Sequence, residues 1–446
     1  MKQYIDFYTQ QKEAINANSA PVLNALRDEA LHTLSTTPFP KKGSEGYAQT
    51  DMEALFAPDY GINVMRYEVS DETLKALRHN APNMSPWCCF VVNDSFHALD
   101  KKSTMPEAVK VMSLRRAAVE YPDIVAKHYG TLAPLSDPQV ALNTLLAQDG
   151  LFVYIPRGIV LERPLQLMNI LTASSPLMVS RRVLVVVEEG AKGELIICDK
   201  TASEQTDFLI NQVIEVALAP NSHFDLYNVE ESSANTHKVE STFARQQDDS
   251  NLLVNNITLT NGFSRNGTSI DIVGKNCQTL LNGMAICFNK QTVDNCTYIR
   301  HNTPHCQSRE LFKYLLDDEA TGVFEGKIYV CPGADKVEAY QSNKNIVATD
   351  TAKMYTKPQL EIYHDDVKCS HGATIGQLDQ NAIFYMRTRG ISEHEARTLL
   401  MQAFMSDIIS EVRLEPLRER LKILVSQQLS QSRGMCGDCA TKCTKK

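Results

Sequence analysis

The chain has few of the features that would assign it a chemistry directly. It has no Gly-Lys-Ser/Thr loop of the Walker A type, so any ATP hydrolysis it takes part in has to come from a partner. No apolar run approaches the roughly 20 residues that span a bilayer. No charged-then-apolar segment opens the chain either, because Met1 to Gln11 carries Lys2, Asp6 and several glutamines. Basic residues are not in excess: 45 Lys and Arg stand against 53 Asp and Glu, a formal net charge of −8. That balance gives no electrostatic case for nucleic acid or a membrane surface. Tryptophan occurs once, at Trp87. The expected location is the cytosol.

What is present is an ordinary globular composition over 446 residues, 43% hydrophobic and 22% charged, enough for two or three domains or one long solenoid with helical ends. The twelve cysteines are not expected as structural disulfides in a reducing compartment. Cys198, Cys277, Cys287, Cys296 and Cys331 sit in or beside β-rich apolar runs, and Cys88 and Cys89 follow Trp87. All seven are expected as small buried hydrophobes.

Residues 1–150 read as a helical and mixed N-terminal domain. Ser19-Ala-Pro21 is a helix start, followed by Leu23, Leu26, Ala30, Leu31 and Leu34 at helical spacing. Pro38 to Tyr60 is a polar, turn-rich loop, and Ser113 to Tyr129 is a helix restarted at Pro122. Asp137-Pro138 caps a further helix expected to stop at Gly150. From 151 to 386 helical periodicity gives way to short strands such as Glu194–Cys198 and Ser269–Val273. Asn261-Gly262, Asn266-Gly267 and Asn282-Gly283 are expected as turns between them. Coils stacked rung on rung fit this pattern, with the helical termini as end caps. Residues 387–430 form a C-terminal helical domain opened by the Ser392/Glu395 capping box.

The most informative stretch is Lys357 to Asp379, which puts Cys369 and His371 two residues apart in a strand. Strand side chains alternate faces, so the thiol and the imidazole lean the same way, their Cα atoms roughly 6.5–7 Å apart. Both can approach one soft metal or one sulfur species. Two ligands leave a zinc or cluster site incomplete, and other residues or another chain must supply the rest. His301 and His305 flank Pro304 beside Cys306, but the proline keeps them off a common helix face, and a polar turn accounts for them.

Gly322–Val330, Gln341-Ser-Asn-Lys-Asn345 (taken as a turn), Lys357–Ile362, Asp365–Thr374, Gly376–Asp379 and Phe384–Ile391 together resemble the SufB/SufD family. The likeness is dense over 265–415 and looser over 150–265. Lys368-Cys-Ser-His-Gly-Ala-Thr374 follows the pattern of the SufD branch. His364 departs from the family, which carries a small residue there. The resemblance implies a mainly β chain: a right-handed parallel β-helix core with a helical N-terminal region and a C-terminal helical subdomain. It implies no turnover of its own, a SufB-like partner joined through the β-helix ends, and a SufC-like ABC ATPase docked on the C-terminal helices, with Leu399, Leu400, Phe404 and Ile408 as candidate contacts. An iron–sulfur cluster, transient and shared with the SufB-like chain, is the cargo. His371 and Cys369 are then candidate ligands, with Asp365 and Asp366 as candidates to orient a ligating histidine or to form a turn.

Residues 431–446 depart from the usual family ending. Cys436, Cys439 and Cys443 form C-x2-C-x3-C among lysines. Two readings stand: a solvated tail, or three thiolates holding a cluster with one open iron. Outside the SufD-like reading, two alternatives remain, a homodimer that carries the cluster itself and a β-helix enzyme acting on polysaccharide. The absent secretion signal and the cysteine count argue against the enzyme.

Overall fold

The computed structural model describes residues 1–66, 85–97 and 105–431. Its centre is a parallel β-helix. Successive strands alternate between two ten-stranded sheets, so each sheet pairs every second strand in register. Gln278 pairs with Gln307 and Gln307 with Glu338, a spacing of about 30 residues per rung, within the range of stacked repeats. The inner faces bury one continuous apolar cluster from Trp87 to Ala352. Trp87–Val92, well before residue 151, already belongs to this body and pairs in parallel with Leu165–Leu171.

The lumen also has a polar side. Asp199 shares strand parity with the core residues Leu195 and Ile197, and Lys238 and Glu240 share it with Ala244. Lys238 Nζ lies 3.1 Å from Asp199, 3.5 Å from Glu240 and 3.8 Å from Glu230, and Arg181 lies 3.0 Å from Asp199. Because all five are buried, none of these charges can be left unpaired at low cost.

The helices cover the sides of the solenoid, which corrects their expected role as end caps. N-terminal helices Lys2–Ala17, Arg27–Thr36 and Pro138–Leu146 bury Tyr4, Tyr8, Leu34 and Leu142 against the outward-facing Met178, Leu209 and Val239 of one sheet. C-terminal helices Glu393–Ser410 and Glu415–Gln431 bury Met405, Ile408, Leu421 and Val425 against Ile257, Met284, Ile286 and Leu315 of the other. The sheets' outer faces are apolar there and require cover. At the N-terminal end, antiparallel strands close the stack instead: Ser95–His97 on Trp87–Val92, and Lys110–Ser113 on Gly150–Ile155. At the other end, Lys353–Ile362 and Lys368–Gly376 are the last strands of their sheets.

Local expectations fared unevenly. Asp137 caps its helix, accepting from the Gln139 N–H at 2.8 Å, but the helix ends at Leu146 and Gly150 already starts a strand. The restart at Pro122 is present, with Ser113 as the preceding cap. Asn266-Gly267, Asn282-Gly283 and Gln341–Asn345 lie inside strands rather than in turns. The polar lumen takes the inward amides of Asn266, Gln341, Asn343 and Asn345, while Asn282 is buried on the outer face, on the side of Met284 and Ile286. Gly283 is glycine for packing, since a Cβ there would come within 2.0 Å of the Phe312 ring. The β-structure stops at Gly376, short of 386, and Asp379 caps the helix Gln380–Thr388. The seven expected core cysteines are all buried or half-buried free thiols. Among the described residues no helix is long and apolar enough to cross a membrane.

Candidate functional site

The open end of the β-helix is where the chemistry-bearing residues of the Lys357–Asp379 stretch come to lie. Lys368 donates its N–H to the Val337 carbonyl at 2.8 Å. Along a parallel strand the peptide groups alternate sides, so those of Cys369, His371 and Ala373 face the edge that has no neighbour among the described residues. The companion strand carries Pro358, a residue that a central strand would exclude and a terminal one accepts. The last rung is thus open for pairing on Lys368–Gly376 and blunted on Lys353–Ile362. Ile362, Tyr363 and Ile375 are exposed around it.

In register, Cys369 sits over Ala339 and His371 over Gln341. Ala339 and Gln341 are buried lumen residues, so both candidate ligands project from the inner face at the mouth of the stack. Cys369 is half-buried against the core, and burial raises its thiol above the ordinary value. His371 is exposed. Among the described residues no group of three or more His, Cys, Asp or Glu is placed to hold a metal ion. The thiol and imidazole remain a pair of donors on one face.

The neighbouring acids are placed elsewhere. Asp366 pairs with Lys336 of the preceding rung, whose ammonium holds the carboxyl below its usual range, and the Lys336 N–H donates to the Asp366 carbonyl at 2.7 Å. Asp365 is exposed. His364 lies beyond its strand, 3.7 Å from Asp335. Asp335, Lys336, His364 and Asp366 therefore zip two stacked turns together. His301 and His305 are separated: His301 is buried with Nε2 2.9 Å from Ser308 Oγ, and His305 is an exposed turn residue at φ 61°. Two thiols that the sequence did not bring together do meet. Cys277 and Cys306 stack at one corner and both donate to the Gly274 carbonyl at 3.2 Å. Cys436, Cys439 and Cys443 lie outside the described residues.

Of the candidate docking residues, Leu399 is 42% exposed, while Leu400 and Phe404 are half-buried. Lys313 stands 4.5 Å over the Phe404 ring and donates to its carbonyl at 2.7 Å. Ile408 is a correction. At 1% exposure it belongs to the seam between helix and sheet, because the outer sheet face offers it Leu315 and Met284, and it cannot present a surface without undocking the helix.

Comparison with known proteins decides the family. A family model described as "SUF system FeS cluster assembly, SufBD core domain" matches residues 169–404, and one described as "SufBD protein N-terminal region" matches residues 1–167. The chain belongs to the SufBD family. An iron–sulfur cluster assembly SufBD family protein of Synechocystis sp. is 28% identical over 425 residues, 93% of each chain. The iron–sulfur cluster assembly protein SufD of Escherichia coli is 30% identical over 291 residues, 65% of this chain and 69% of that one. SufD of Bacillus subtilis is 23% identical over 316 residues, covering 70% and 72%. SufBD membership replaces the polysaccharide-acting alternative that a β-helix alone leaves standing. The place of this chain is iron–sulfur cluster assembly.

Proposed function

We propose that the chain is the SufD-like subunit of a cytosolic scaffold, built with a SufB-like chain and a SufC-like ATPase, on which iron–sulfur clusters are assembled. It performs no turnover of its own. The observation that carries this reading is the Lys368–Gly376 edge, unpaired among the described residues, with Cys369 and His371 on its inner face. A partner strand added to that edge would bring its own side chains to the mouth of the lumen, where an incomplete donor pair awaits them. The nascent cluster is then shared, with His371 the principal ligand from this side and Cys369 beside it. Asp365 and Asp366 serve the turn. Leu399, with the flanks of Leu400 and Phe404, forms the ATPase contact on the outside of the C-terminal helices. Cys436, Cys439 and Cys443 are proposed as an accessory thiol set.

Ala373→Pro tests the edge directly. It removes an outward N–H and leaves the strand's own ladder in place. The variant chain is expected to stay folded and to lose co-purification with the SufB-like chain from the same genome, while wild type retains it. A wild-type chain that purifies alone, or a variant that assembles as well as wild type, overturns the reading. A homodimer formed through the same edge would appear as a dimer of the isolated chain that Ala373→Pro dissociates.

A further inference from the structure

Directly beneath His371, the lumen contains a column that the ligand reading does not use. Register places His371 over Gln341 and Gln341 over Glu310. Both lower residues are buried, 3% and 2% exposed. Gln341 Nε2 donates to Glu310 Oε2 at 2.6 Å, which commits the amino end of the amide to the carboxyl below. Among the described residues the amide oxygen, Gln341 Oε1, is buried without a hydrogen-bond partner, as is Glu310 Oε1 below it. A buried acceptor left unmade is costly, so a donor brought to Gln341 Oε1 would be held there. Across the lumen stands Gly326, where a Cβ would come within 2.4 Å of Gln341 Nε2. Bare backbone at that point lets the amide lie where it does.

We propose that Gln341, held by Glu310, is a positioning residue for His371: its free carbonyl oxygen accepts the N–H of one ring nitrogen. Side chains stacked in register on neighbouring strands are about 4.8 Å apart, so a rotamer change of His371 over the lumen closes the contact. The consequence is chemical. With one nitrogen committed as donor, the imidazole is fixed in a single tautomer and its other nitrogen presents a lone pair toward the open end. This is the arrangement that metal-ligating histidines require of their surroundings. In either protonation state Glu310 keeps an oxygen that accepts from the amide, so the polarity of the column does not reverse.

This inference rests on the reading of His371 as a ligand, and its test separates the two. In the full chain labelled with 15N-histidine, the His371 signals are assigned by their loss in His371→Ala. Wild type and Glu310→Gln are expected to show one His371 tautomer, and Gln341→Leu a mixture of both. With the SufB-like chain present, Fe(II) affinity is expected to fall 10- to 100-fold in Gln341→Leu, to fall further in His371→Ala, and to hold in Glu310→Gln. Gly326→Ala, which displaces the amide without removing it, is expected to act like Gln341→Leu and serves if the leucine variant does not fold. If Gln341→Leu keeps a single tautomer and wild-type affinity while His371→Ala loses iron, the positioning role is overturned and the ligand reading stands. If His371→Ala retains full affinity, the ligand reading falls, and the tautomer measurement alone decides the role of Gln341.

Discussion

Glu310 gives the lumen a pH signature that can be measured without any partner. Burial pushes its carboxyl from the ordinary 4.5 up to about 7, against hydrogen bonds with Thr297 and Gln341 that pull it down. Between those values the unfolded chain releases the proton and the folded chain keeps it. Folding therefore loses stability as pH rises from about 4.5 through 7, by about 1.4 kcal/mol per pH unit, or about 3 kcal/mol in all. Glu310→Gln removes the titration and preserves an acceptor for the Gln341 amide. Urea unfolding at a series of pH values is the assay, read as the difference between variant and wild type. The two curves should run close together below pH 4.5, and the variant should gain up to about 3 kcal/mol by pH 8. Curves that stay parallel from pH 4 to 8 would refute the argument, because they would mean that Glu310 is ionised normally and that the lumen around it is wet.

Other perturbations test other parts of the structure. Lys238→Ala takes the ammonium from Glu230 and Glu240 and leaves Asp199 with Arg181 alone as its cation, and should cost about 3–5 kcal/mol in urea unfolding. Ile408→Ala opens a cavity in the helix–sheet seam and should cost about 2–5 kcal/mol, releasing the C-terminal helices first in hydrogen exchange. Leu399→Glu, on the exposed side of the same helix, should leave the unfolding midpoint within about 0.5 kcal/mol of wild type while abolishing pull-down of the SufC-like ATPase.

How much of this was readable in advance differs by element. Strands that point apolar residues inward, such as Glu194–Cys198, were legible because their pattern is the ordinary one. The rungs were not, because the turns between strands vary in length and blur the repeat. Asn266-Gly267 and Gln341–Asn345 misled because part of the β-helix interior is polar, and Asn282-Gly283 because Asn282 is buried on the outer face while Gly283 makes room for the Phe312 ring, so residues that elsewhere mark turns are buried here. The helix Lys2–Ala17 carries only Tyr4, Tyr8 and Ile15 as buried residues among many polar ones, too sparse a stripe to announce itself. The Cys369 and His371 pair was visible because strand geometry acts at i, i+2. Glu310 and Gln341 were invisible because only rung stacking brings them together beneath it, and nothing local in either segment signals the contact.

The most direct test of the central claim is the iron and sulfide content of the assembly purified with its SufB-like and SufC-like partners after cluster reconstitution, wild type against His371→Ala. The account predicts that the variant assembles with both partners, keeps its fold, and loses the cluster. A His371→Ala assembly carrying the wild-type complement of iron and sulfide would contradict it, and the donors at the mouth of the β-helix would have to be sought on the partner alone.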